Sequence, residues 1–93
     1  MRLTPAEVAA IREEVQRLDP SAEIYLFGSR TDDTARGGDV DLSLRSAAIG
    51  YEDALRLRIR IQARLAGRRV DLLVNAAEDH PLTAVVAETG IRL

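Results

Sequence analysis

Ile24-Tyr25-Leu26-Phe27-Gly28-Ser29-Arg30-Thr31-Asp32-Asp33-Thr34-Ala35-Arg36-Gly37-Gly38-Asp39-Val40-Asp41-Leu42-Ser43-Leu44 is the stretch around which the rest of the chain is organised. An apolar run with two aromatic residues, 24–27, stops abruptly at Gly28-Ser29 and gives way to a polar, glycine-containing loop. From Asp39 the pattern alternates polar and apolar, as in a half-buried strand. Side chains two residues apart on a strand share a face. Asp39 and Asp41 therefore set two carboxylates side by side where the strand leaves the loop.

Two like charges this close repel, and a divalent cation removes the repulsion. Hard oxygen ligands completed by phosphate oxygens are the usual surroundings of Mg²⁺. The Gly28-Ser29 turn offers the complementary half of such a site. Gly28 has no Cβ to obstruct a ligand near the backbone, and the N–H groups after it, with the Ser29 hydroxyl, can donate to phosphate. A helical turn beginning after Ser29 would add its dipole. Together these features suggest a site for a metal-bound triphosphate. Taken alone, Asp-x-Asp is more often two acids on a solvent-facing strand. The preceding Gly-Ser, with a strand on each side, reverses that preference.

Gly28-Ser29, nine intervening residues and Asp39-Val40-Asp41 resemble the signature of the DNA polymerase β-like nucleotidyltransferase superfamily. The short chain resembles its minimal nucleotidyltransferase (MNT) family over nearly its whole length. The loop is one residue shorter than the commonest form, and Gly38 stands where serine is frequent. The resemblance implies an α+β, two-layer fold: a small mixed sheet with helices mainly on one face. It further implies Asp39, Asp41 and a third acid, matched by Asp71, as catalytic residues and metal ligands, with two Mg²⁺ ions as cofactor and ATP as substrate. Gly28, Ser29 and, more weakly, Arg30 are its nucleotide-binding candidates. MNT proteins are typically antitoxins of HEPN-domain ribonuclease toxins, and some transfer AMP to a toxin tyrosine. A HEPN partner and an antitoxin role are therefore implied. Two other readings stay open: a contact-only module without catalysis, and a transferase acting on a small molecule with a separate substrate-binding subunit.

Ninety-three residues suggest one domain, 1–93, and 46% apolar residues allow a modest core. No stretch is long and apolar enough for a membrane span, and the N-terminus lacks a signal-peptide run. The absence of cysteine excludes disulfides and thiolate metal sites and is compatible with the cytoplasm. A net charge of −2 gives no bulk attraction to nucleic acid, so direct nucleic-acid binding is not expected. All 13 basic residues are arginine, which reflects base composition more than function.

The remaining elements follow from periodicity. Thr4-Pro5-Ala6-Glu7 opens a helix with a capping box, and Val8, Ile11, Val15 and Leu18 form its apolar stripe until Asp19-Pro20. Strands are expected at 23–27 and 39–45. Residues 55–61 alternate like a strand. Even so, Ala54, Leu57, Ile61 and Leu65 make a helical stripe, Glu52 precedes Arg56 by four, and Gly67 stops a segment whose length suits a helix from Tyr51 to Ala66. The run 69–74 reads as a buried strand carrying one conspicuous acid, Asp71, whose burial would be costly without a metal or a partner such as Arg68 or Arg69. A last helix from Pro81 to about Glu88, capped by Asp79, turns Leu82, Val85 and Val86 inward. Gly90 ends it before a short tail. The lone His80 lacks a second histidine or cysteine for zinc. Ser29 has neither a Gly-x-Ser-x-Gly setting nor the Gly-Lys-Ser/Thr of a P-loop.

Overall fold

The first helix, α1 (Pro5–Leu18), begins as its sequence dictates. The Thr4 hydroxyl accepts from the Glu7 N–H at 3.1 Å, and the Glu7 carboxylate accepts from the Thr4 N–H at 2.9 Å. In this computed structural model, residues 3–27 and 39–93 are described. The chain continues through β1 (Glu23–Phe27), β2 (Val40–Arg45), α2 (Tyr51–Arg64), β3 (Val70–Val74), α3 (Pro81–Thr89) and β4 (Ile91–Arg92). The sheet order is β3-β2-β1-β4. β1 pairs antiparallel with both β2 and β4, while β2 and β3 run parallel. Parallel neighbours need a crossover, and α2 provides it. The tail after Gly90 is thus a fourth strand.

Period-two alternation divides the sheet. Ile24, Leu26, Val40, Leu42, Leu44 and Val70 turn to one face and are essentially sealed there by Ile11 and Val15 of α1 and by Leu57, Ile61 and Leu65 near α2. The ambiguous segment is therefore a helix, because its 3.6-residue stripe meets this face. At its end Ala66 and Gly67 take positive φ, 57° and 78°, and the Gly67 N–H donates to the Gln62 carbonyl. α1 and α2 are further joined where Arg64 bridges Glu13 at 3.0 Å and Glu14 at 3.2 Å. Helices thus lie mainly on one face. α3 takes part of the other, opposite Tyr25, Ser43 and Leu73, with a cavity of about 170 Å³ between.

Five local expectations are corrected. Leu18, at the last turn of α1, is 42% exposed, and Leu82 is likewise exposed at the start of α3. His80, not Asp79, caps α3: its Nδ1 accepts from the Leu82 N–H at 3.0 Å. β3 is an edge strand, with only Val70 fully buried, because β2 covers one side alone. Glu52 makes no ion pair with Arg56 among the described residues; Glu52 and Arg56 are both exposed.

Candidate functional site

The face opposite the core carries the acids. Asp41 pairs in register with Phe27 on one side and with Asp71 on the other. In-register residues of neighbouring strands point to the same face. Asp41 and Asp71 are therefore immediate neighbours across the sheet, and Asp39 precedes Asp41 at the mouth of β2. This Phe27–Asp41–Asp71 row lies one step beyond the Tyr25–Ser43–Leu73 row that α3 covers, so α3 stops short of the acids. Phe27 is buried, Asp41 half-buried and Asp39 exposed.

Asp71 is not the buried acid its apolar surroundings suggested. Its side chain is 45% exposed, and Oδ1 lies 3.6 Å from the Arg69 Nε. Of the two arginines considered as neighbours, Arg69 is the one in contact, while Arg68 pairs with Glu7 at 3.1 Å. An exposed ion pair of this kind contributes only about 0–1 kcal/mol and does not tie Asp71 down. Among the described residues no three acidic or imidazole side chains already converge as a metal cage. What β2 and β3 supply is backbone placement: Asp41 and Asp71 as hard oxygen donors on one face of two adjoining strands, with Asp39 one residue before β2. This donor chemistry fits Mg²⁺ once Asp71 turns from Arg69. Gly28, Ser29 and Arg30 lie outside the described residues. β1 delivers the chain to them at Phe27, whose register partner is Asp41.

A groove that sequence spacing alone did not locate adjoins the acids. With a volume of about 470 Å³, it runs between the first half of α2 and the outer edge of β3, lined by Tyr51, Leu55, Arg58, Asp71, Leu72 and Val74 among others. Tyr51 is 79% exposed and Ile59 62% exposed, so α2 carries a second apolar flank. The available signal was the strict alternation of residues 55–61, which places apolar groups on more than one side of the helix.

With fold and acids in place, the family can be given. A family model described as nucleotidyltransferase domain matches residues 8–92, and the chain belongs to that family. No curated protein sequence matches it significantly. Among solved structures, a MntA–HepT toxin–antitoxin is similar with a TM-score of 0.73 at 20% identity, covering 96% of this chain and 70% of the other. A tri-AMPylated Shewanella oneidensis HEPN toxin in complex with MNT antitoxin gives 0.70 at 22% identity, with 92% and 67% covered. A toxin–antitoxin structure with AMP-PNP gives 0.73 at 23%, with 97% and 72% covered. At these identities the likeness establishes a shared nucleotidyltransferase fold. No helix among the described residues is long and apolar enough to cross a membrane.

Proposed function

We propose that residues 1–93 act as one minimal nucleotidyltransferase domain that moves AMP from ATP to a tyrosine hydroxyl of a HEPN-domain toxin, as its antitoxin. The observation that carries this reading is the in-register pairing of Asp41 with Asp71 on the sheet face opposite the core, in a chain of the nucleotidyltransferase family. The AMPylated toxin of one structural neighbour and the AMP-PNP of another support the choice of protein acceptor and adenine nucleotide.

Asp39, Asp41 and Asp71 would hold Mg²⁺, which when bound neutralises the triphosphate and the mutual repulsion of the carboxylates. The chain's own task is position and charge. Gly28 and Ser29 hold the departing phosphates through backbone N–H and hydroxyl donors, and Arg30 adds charge beside them. Asp71 accepts the proton of the incoming hydroxyl. Its oxygen bonds to the α-phosphorus as the bond from that phosphorus to the bridging oxygen breaks. AMP remains on the acceptor, and pyrophosphate leaves with the electron pair. No nucleic acid, membrane or covalent enzyme intermediate is required, and the cytoplasm supplies ATP and Mg²⁺.

Calorimetric titration with ATP in Mg²⁺, for the parent and for an Asp39→Asn/Asp41→Asn variant, tests the site. Intact mass of a co-expressed HEPN-domain neighbour tests the transfer. The expected result is metal-dependent ATP binding and added AMP masses, both lost in the variant. Binding indifferent to metal and acids would overturn the site. Full neutralisation of the toxin by the variant, without added mass, would favour the contact-only module.

A further inference from the structure

The outer edge of β3 is open in a specific way. The Val40 N–H donates to the Arg69 carbonyl and the Asn75 N–H to the Leu44 carbonyl, each at 2.9 Å. These two bonds set the alternation of the parallel ladder, in which Asp71 and Leu73 direct their backbone groups toward β2, and Val70, Leu72 and Val74 direct theirs outward. The outward Val70 N–H is already met by the Gln62 Oε1 at 3.0 Å. No hydrogen bond among the described residues reaches the outward groups of Leu72 and Val74. Those groups border the groove whose other wall is Tyr51 and Leu55. Edge backbone groups of this kind are a template for another strand. The opposite edge differs: β4 has only two residues, one of them Arg92.

We propose that this groove is the acceptor-docking site, and that it takes an extended segment of the partner protein by strand addition to β3. The proposal rests on the nucleotidyl-transfer reading above. A segment paired to Leu72 and Val74 alternates its side chains between two environments. Those in register with Leu72 and Val74 turn toward Tyr51 and Leu55. Arg58 also lines this wall and has no ion-pair partner among the described residues, so an acidic side chain on that face is complemented. The residue in register with Asp71 turns to the other face and extends the Phe27–Asp41–Asp71 row by one strand spacing, about 4.8 Å. Its hydroxyl then stands beside the carboxylate assigned to receive its proton. A long side chain such as tyrosine can lean back over the Asp41–Asp71 pair; serine at the same position cannot. The groove's continuity with the acids at Asp71 is what favours an acceptor segment over a second copy of this chain.

The test uses the full chain with the HEPN-domain protein encoded beside it. Hydrogen exchange is followed at the Leu72 and Val74 amides, alone and in complex, and binding is measured for the parent, Leu55→Glu and Leu72→Pro. Leu55 is 43% exposed, so the charge enters the groove without entering the core. Proline at 72 removes an N–H that the ladder does not use. Exchange at both amides should slow at least tenfold in the complex. Each variant should weaken partner binding about tenfold or more while binding Mg²⁺–ATP as the parent does. A complex that leaves both amides unprotected, or that Leu55→Glu does not weaken, overturns the docking site even if AMP transfer persists. Protection without any AMP transfer supports the docking site and overturns the transfer reading instead. Protection of these amides in the free chain, with a dimer lost in Leu55→Glu, overturns the partner in favour of a second copy.

Discussion

The two faces of the four-stranded sheet are built from the same strands, one residue out of phase, and they answer to different demands. On one, Leu26, Val40, Leu42, Leu44 and Val70 show no exposure, and two helices close over them. On the other, Asp41 and Asp71 sit side by side at the edge of what α3 covers. Close packing makes the first face intolerant of lost volume, since a cavity there removes both hydrophobic transfer and contacts. The second face gathers like charges that weaken folding if they do anything. A face that holds the fold together and a face proposed to carry chemistry should therefore separate cleanly under mutation.

The widest separation is expected at Asp71. Asp71→Asn keeps the side chain's size and removes its charge and its capacity to take a proton. Transfer to the acceptor should fall by about a thousandfold or more, equivalent to some 4 kcal/mol of transition-state stabilisation. Only an exposed contact with Arg69 is lost, worth about 0–1 kcal/mol. The melting temperature should stay within about 4–8 °C of the parent or rise as repulsion from Asp41 is relieved. Thermal unfolding and single-turnover transfer, measured on the same preparation, check both halves. A strongly destabilised but active variant would make Asp71 a structural partner of Arg69.

The reverse pattern is expected on β2 at Leu42, the residue after Asp71's register partner Asp41. Leu42 is fully buried between the strands and helices, so Leu42→Ala should cost about 2–5 kcal/mol. In a domain this small that is a large share of the total stability. Denaturant unfolding reads the loss. The fraction that remains folded should bind Mg²⁺–ATP with the parent's affinity. Weak nucleotide binding by folded Leu42→Ala would mean that the faces are mechanically coupled through β2.

Much of this contrast was visible in the residues themselves. The capping box at Thr4 and Glu7 and the ends of β1 are set within a few residues, so local chemistry decides them. Helix α2 was legible despite its alternation because length and a second apolar stripe outweighed a period-two run. What sequence spacing could not supply was register. Asp41 and Asp71 stand 30 positions apart, and only the parallel pairing of β2 and β3 places them together; the expectation for Asp71 came from family resemblance. The open edge of β3 was hidden for a related reason. An apolar run reads as buried whether or not a strand lies on each side, and among the described residues β3 has a strand neighbour on one side only. β4, with two residues, has too little periodicity to register. At α3, Asp79 and His80 both offer a capping acceptor, and a one-residue offset decided for His80. Gly28, Ser29 and Arg30 lie outside the described residues, so their part of the site rests on the motif.

The smallest expected effect lies at the rim of the sealed face, where Glu7 serves both the cap of α1 and Arg68 in the turn after α2. Burial alone would raise the Glu7 pKa, but the Thr4 N–H hydrogen bond and the Arg68 guanidinium outweigh it and hold the carboxyl below its ordinary 4.5. A depressed carboxylate stabilises the fold above its unfolded value and loses that contribution as pH falls through the folded one. Stability contributed by Glu7 should thus be complete at pH 7 and decline once the pH drops below 4.5. Glu7→Gln isolates the charge, because glutamine can still accept from the Thr4 N–H and complete the capping box. The variant should be less stable than the parent by about 1 kcal/mol or less at pH 7. The gap should narrow at pH 3, where more of the parent's carboxyl is protonated. Urea midpoints of both proteins at the two pH values measure it. An equal gap at both would assign the loss to packing or hydrogen-bond geometry. No gap at either would mean that the sealed face owes nothing to its charged rim and is held by apolar burial alone.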